Sequence, residues 1–344
     1  MPNIAGLNYL TRSRVLYEVT IDNTQNPNDL TDYQVLIKIV GDTQFFLDAG
    51  DKKESIRLVD EDLRTPLDYF IEIFDTVNKN AWIWVKVPKI PGGDVKKVYI
   101  SLNPERTEDL SNPGAVFDFF DHFEGNALSE LWSTHVKDSY TTITVHDSLL
   151  DIHKSSNTYS GGCALLTGLK LSPESHIVHA RAQRTEEYGG GEFGTYVGLT
   201  DDPTSFNDTY YGYPSRLVLG GLYLYSGENQ GLRLSDTVLG VDVYGVASDY
   251  ERGVWYIVEL IYIYGTNAKA YFYREHDGHE VTLELGRAPG PEPYYVVLGH
   301  GDYSVDSHAL FDYVALRKYT EPEPRVTYER VSYIEPFNNV LDMY

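Results

Sequence analysis

Period-two alternation of apolar and polar side chains constrains this chain more than any other feature. "RVLYEVTI" puts Val15, Tyr17, Val19 and Ile21 on one face of an extended segment, and "YQVLIKIV" does the same with Tyr33, Val35, Ile37 and Ile39. Side chains point to opposite sides along a strand, so segments of this kind form half-buried strands. "AWIWVKVP" and "KKVYISL" follow, separated by the turn-type stretch "KIPGGDV". Helical periodicity is nearly missing, and the only short candidate is "NALSELWS". Closely spaced strands with Gly, Pro, Asn and Asp between them predict antiparallel sandwiches.

The chain has 344 residues, more than one compact core ordinarily takes. The polar stretch "NPERTEDLSNPG", residues 103–114, has the composition of a linker. Beyond it the strands are longer and tyrosine-rich, as in "WYIVELIYIYG" and "AKAYFYRE". "HDGH" sets Asp277-Gly278 between two alternating runs, a strong hairpin signal. The expected fold is all-β, two tandem antiparallel β-sandwiches. An N-terminal arm (1–11) precedes the first sandwich (12–102). The second spans 115–320, and an extended tail covers 321–344. Trp82 and Trp84 share a face and are expected in the first core; Trp132 and Trp255 are expected in the second.

Composition narrows the function. With 42% hydrophobic and 23% charged residues the chain is globular rather than disordered. Fifty-one acids against 28 bases give a net charge of −23. Phosphate recognition needs clustered cations, so a nucleic-acid partner is excluded and an anionic membrane surface disfavoured. No apolar run reaches the roughly 18–20 residues that span a bilayer. The opening "MPNIAGLNYLTRSR" lacks the charged leader and apolar core of a secretion signal. One cysteine, Cys163, permits neither an internal disulfide nor a cysteine zinc cluster, and is expected as a small buried apolar residue.

Two resemblances follow from the motifs. "VLYEVTIDNTQNPNDLTDYQVLIKI", "IRLVDEDLRTPLDYFIEIFD" and "NAWIWVKVPKIPGGDVKKVYISL", within residues 12–114, resemble in order and spacing the domain of unknown function 2341. The aromatic that the family carries before the first strand is missing here. That resemblance implies a β domain of surface and secreted proteins, with no assigned chemistry. "FDFFDHFEGNALSELW" and the closing "FDYVALRKY" resemble the bracketing strands of a concanavalin A-like jelly roll, the group that includes glycoside hydrolase family 16. In that reading Phe117, Phe119 and Phe123 pack into the second core, at about 1.5–3 kcal/mol each.

Four chemistries are weighed on the residues. A glycosidase of this fold carries its carboxylates in an E-x-D-x-x-E run along one strand, and no predicted strand carries one. "EEYGGGEFG" (Glu186 to Gly194) is loop-like, and "EVTLELG" offers Glu280 and Glu284 on one face with no Asp between them. The expectation is therefore no enzyme. The jelly-roll resemblance implies a structural Ca²⁺ on the Asp of the last strand, which is Asp312 here. "TDDPTSFNDTY" offers a second oxygen-rich loop with Asp201, Asp202 and Asp208. The ten histidines, including the pairs His276/His279 and His176/His179, show no convergence of three or four zinc ligands, and turn histidines are expected. Tyr256, Tyr262 and Tyr264 share a face by period two, as do Tyr271 and Tyr273, and either stack on a sugar or pack between sheets. "NDT" at Asn207 fits the glycosylation pattern of a surface loop.

Together these predict a non-enzymatic protein acting outside the cell that makes it, on a surface or in a virion, and recognising glycans or surface polysaccharide. The rival class is a structural subunit of a virion or filament. It would form a homo-oligomer or join assembly neighbours through its terminal segments, by strand addition or by the apolar Val340, Leu341 and Met343. A divergent glycosidase is the third.

Overall fold

The computed structural model describes residues 15–156, 158–186, 194–209, 211–223, 231–303 and 306–331. The N-terminal arm, most of "EEYGGGEFG" and the end of the tail lie outside the described residues. Two compact units divide the chain. The first runs to Asp118 and resumes at Thr320; the second is Phe119–Tyr319.

The first unit begins with β1 (Val15–Asp22), β2 (Leu30–Ile39), helix α1 (Thr43–Ala49) and β3 (Ile56–Asp60). β4 (Tyr69–Asp75), β5 (Asn80–Ile90) and β6 (Val95–Leu102) complete the run. β6 lies between β1 and β3 in one antiparallel sheet, and β5 between β2 and β4 in another. The alternation works as expected: Tyr17, Val19 and Ile21 meet Tyr33, Val35, Ile37 and Ile39 in one core. Helix α1 was not foreseen. Asp42 caps it by accepting from the Phe45 N–H at 3.0 Å, and Gly50 ends it at φ 63°. Its gain is the burial of Phe45 and Phe46. "NALSELWS" is not a helix. Two uncapped turns are marginal by themselves, and Trp132 instead opens a strand with its indole N–H on Asp121, 2.8 Å away.

Trp82 and Trp84 are buried, but on the opposite face of β5 from Ile83, Val85 and Val87. There Trp84 meets Phe117 edge-on at 5.5 Å and donates to Glu72 at 2.8 Å. The linker stretch packs on this unit. Arg57 donates to the Glu108 carbonyl at 2.9 Å, the Ile71 N–H to Ser111 at 2.9 Å, and the Asn112 N–H to Tyr69 at 2.8 Å. The aromatic cluster after it is split by the seam. Phe117, expected in the second core, packs in the first unit; Phe119 and Phe123 pack in the second.

The second unit opens with β7 (Phe119–Asp121), β8 (Trp132–Val136), β9 (Thr141–His146), β10 (Leu149–Lys154), β11 (Ser160–Leu166) and β12 (His176–Glu186). β13 (Gly194–Thr200), β14 (Phe206–Asn207), β15 (Tyr213–Pro214), β16 (Val218–Leu222), β17 (Leu232–Asp236) and β18 (Val241–Tyr244) follow. It closes with β19 (Trp255–Ile263), β20 (Asn267–Arg274), β21 (His279–Glu284), β22 (Tyr295–Asp302) and β23 (Ser307–Lys318).

Two antiparallel sheets face each other as a jelly roll. One has eight strands, ordered β21-β20-β19-β12-β23-β10-β9 with β7 also on β23; the other has seven, β18-β17-β16-β13-β22-β11-β8. Their inner faces share one core, from Trp132 and Leu150 to Phe311 and Leu316. The outer face of the seven-stranded sheet is partly covered by the short β14–β15 ladder, whose Tyr213, with Tyr211, packs on Leu165, Tyr196 and the buried thiol of Cys163. Asp277-Gly278 makes the expected hairpin: Arg274 pairs with His279, and Gly278 takes φ 74°.

After β23 the chain returns to the first unit. Residues 325–331 of the expected tail form β24 (Arg325–Val331), which pairs antiparallel with β1 and completes a four-stranded sheet ordered β24-β1-β6-β3. Val326 and Tyr328 pack on the first core.

Candidate functional site

The tyrosine stripe separates by parity. Tyr256 and Tyr262 point inward from β19 and belong to the sandwich core. Both hydroxyls are engaged: Tyr256 accepts from the Glu251 N–H at 2.7 Å, and Tyr262 donates to the Pro291 carbonyl at 3.0 Å. They cannot stack on a ligand. Tyr264 lies beyond the end of β19 on an exposed turn. Tyr271 and Tyr273 occupy the outer face of β20, because the core takes Ala268, Ala270 and Phe272 between them. Tyr273 is buried, while burial and the neighbouring Glu280 push the half-buried Tyr271 hydroxyl up. The five tyrosines therefore do not form one platform.

The carboxylates proposed for Ca²⁺ are dispersed among protein donors. Asp312 accepts from Arg181 at 2.9 Å, and the same guanidinium holds Glu275 and lies 4.3 Å over the Trp255 ring. A cation already faces that carboxylate, so the Asp312 site does not fit a divalent ion of six to eight oxygens. Asp201 is clamped by Arg216 at 2.7 and 2.8 Å. Asp202 accepts from the N–H and hydroxyl of Thr204, which holds its carboxyl below the usual range. Asp208 meets His135 at 2.8 Å. Of the acids weighed for catalysis, Glu280 is bonded by Tyr271 and Glu284 by Asn267.

Another cluster, missed in the sequence, lies on the outer face of the seven-stranded sheet. Cross-strand register places Arg233 of β17 opposite Tyr244 of β18, and Ser235 opposite Asp242. Leu232 and Leu234 face the core, so Arg233 and Ser235 face out. Tyr223, just past β16, lies 5.5 Å from Tyr244, and the Arg233 guanidinium sits 5.2 Å and 5.7 Å from their two rings. Arg233 also donates to Asp242 at 2.7 Å. Burial works against the Asp242 charge, but Arg233 outweighs it and the carboxyl is held below its ordinary range. Gly221 pairs with Arg233 in register and leaves that position without a side chain. Tyr244 is 40% exposed, so its ring faces solvent beside a fixed cation and anion. The signal was available: "RLS" and "DVY" place Arg233, Ser235, Asp242 and Tyr244 on alternating positions.

Residues 52–135 match the model of the Domain of unknown function (DUF2341). The DUF2341 match starts within the first unit and ends inside β8. No curated protein matches the chain. Solved structures similar to it include the Ulex europaeus lectin UEA-II complexed with galactose: TM-score 0.44, 13% identity, 59% of this chain and 100% of that one. The VIP36 exoplasmic/lumenal domain in its Ca²⁺/Man3GlcNAc-bound form gives 0.43, 13%, 57% and 92%. Winged bean acidic lectin with methyl-α-D-galactose gives 0.43, 15%, 58% and 98%.

The histidines correct the expectation of no convergence. His176, His276 and His279 are taken up separately by the Ser172 carbonyl, Glu251 and Asp249. His153 and His308, however, are direct partners across β10 and β23, with Asp306 beside them. Non-local strand pairing made that triad, so no spacing in the sequence announces it.

Among the described residues no helix is long and apolar enough to cross a membrane.

Proposed function

We propose that the chain is a non-enzymatic recognition protein that binds a glycan or surface polysaccharide on the outer face of the seven-stranded sheet, outside the cell that makes it. The observation that carries this is the Tyr244 ring, open to solvent and flanked by Arg233 and Asp242. A sugar offers a C–H face to an aromatic ring and hydroxyls to donors and acceptors; Tyr244 supplies the ring and a hydroxyl, Asp242 an acceptor, and the buried Arg233 fixes both. Against catalysis stands the placement of the E-x-D-x-x-E match, Glu275-Asp277-Glu280, across the turn between β20 and β21 rather than along one strand, with Glu275 held by Arg181 and Asp277 by Arg274, together with the engaged Glu280 and Glu284. The rival reading, an assembly subunit held through its ends, loses the part of the tail that is already spent on β24 within its own unit. A glycan array followed by titration of the best sugar is the test. Tyr244→Ala is expected to weaken binding at least about tenfold, roughly the worth of one lost hydrogen-bonded or stacked contact. An array without a binder, or a Tyr244→Ala variant that binds as the parent does, overturns the proposal.

A further inference from the structure

We propose that His153, Asp306 and His308 form a binding site for a divalent transition metal of the zinc class, on the outer face of the eight-stranded sheet. His153 stands on β10 and His308 on β23, paired in register, while Asp306 immediately precedes β23. Leu150 and Ile152 of β10, and Ala309 and Phe311 of β23, fill the core, so both imidazoles point outward. One donor atom from each of the three residues lies within 4.8 Å of the other two.

The distances suit a small tetrahedral ion. Bonds of about 2.0–2.1 Å place ligand atoms about 3.3 Å apart. His153 Nε2 lies 2.8 Å from Asp306 Oδ1, and His308 Nε2 lies 3.6 Å from the same atom, one on each side of that value. The imidazoles are stacked, 4.1 Å apart and 3° from parallel. A shared ion requires them to tilt toward each other about χ2, which is a broad torsion in histidine. Two nitrogens and one carboxylate oxygen select a borderline-soft ion over Ca²⁺ or Mg²⁺.

A second layer is already in place. Both oxygens of Asp151 lie 3.0 Å from His308 Nδ1, and His146 Nε2 lies 3.2 Å from the same carboxylate. The carboxylate only accepts, so Nδ1 carries the hydrogen and His308 Nε2 presents its lone pair outward. Carboxylates orient metal-bound imidazoles in this way. The three side chains remain 29%, 55% and 35% exposed for His153, Asp306 and His308, which leaves the fourth position to water. Binding displaces the hydrogen shared by His153 Nε2 and Asp306.

The test is a calorimetric titration of the full chain with Zn²⁺ alone, repeated with Co²⁺ and read by visible absorption. One ion per chain with a tetrahedral Co²⁺ spectrum is expected. His153→Gln with His308→Gln abolishes it, Asp151→Asn weakens it about 10–100-fold, and His276→Gln leaves it unchanged. Asp306→Asn, on an exposed residue outside the strands, gives a second loss that does not depend on a strand substitution. Thermal melting of each metal-free variant establishes that it is folded. A wild-type chain without a saturable one-to-one event, or a folded double variant that keeps it, overturns the proposal.

Discussion

His300 is wholly enclosed in the second unit, its Nε2 2.8 Å from the Ser307 hydroxyl and its Nδ1 3.3 Å from that of Thr195. Burial, against the pull of Asp302 and with the help of Arg184 and Lys154, lowers its pKa from 6.5 to about 3. The unfolded chain therefore takes up a proton below 6.5 that the folded chain refuses until about 3, and stability falls as pH falls through that window. The slope reaches about 1.4 kcal/mol per pH unit. Urea unfolding at a series of pH values should show it, and His300→Asn should remove this contribution whatever it does to stability at neutral pH. An unchanged slope in the variant refutes the assignment. At this scale alternation put Tyr256 with Tyr262 and Tyr271 with Tyr273, but it did not tell which face is inside, and it extended the first face to Tyr264, past the end of β19 at Ile263. β19 is buried on both sides over Tyr256–Leu260, so alternation alone could not separate the core Tyr256 and Tyr262 from the outward Tyr271 and Tyr273.

Three strands of the eight-stranded sheet are tied by one carboxylate. Glu259 of β19 accepts from His179 of β12 at 2.9 Å and from Arg317 of β23 at 3.2 Å. Burial opposes its charge, but Arg317 and His179 prevail and hold it down at about 2. The contribution is complete above the ordinary value of 4.5 and fades as pH falls through about 2. Glu259→Gln takes the counter-charge from the buried Arg317 and should cost about 3–5 kcal/mol. The midpoint of the second unit's unfolding measures this; a shift worth under about 1 kcal/mol would contradict it. Strand identity was legible from period two, and the Asp-Gly turn gave one pairing. Pairings between distant strands were not, which is why the His153–His308 pair went unseen; the Arg233–Asp242 cluster lies on consecutive strands and its alternation was readable. Helix α1 hid for a different reason: its capping Asp42 and stop Gly50 bracket only seven residues.

The first unit holds the chain on both sides of the second. Val326 and Tyr328 pack on its core, Arg330 pairs with Asp48 at 2.6 Å, and Tyr33 donates to Glu323 at 2.9 Å. Removing residues 320–344 should strip β1 of one ladder and raise the hydrogen exchange of its β24-paired amides by orders of magnitude, while amides of the second unit stay as protected as before. Equal protection of β1 in both chains would refute the role of β24. The two β units were foreseeable from the sequence; the return was not, because an edge strand with alternating charges resembles a solvated tail. Register sets Leu16 against Val331 and Asp22 against Arg325. Whatever is joined before residue 15 and whatever is joined after residue 331 thus depart from one corner of one sheet. Tension applied through both would open that ladder rung by rung, and the second unit, spliced between residues 118 and 320, would carry none of the load until it had opened.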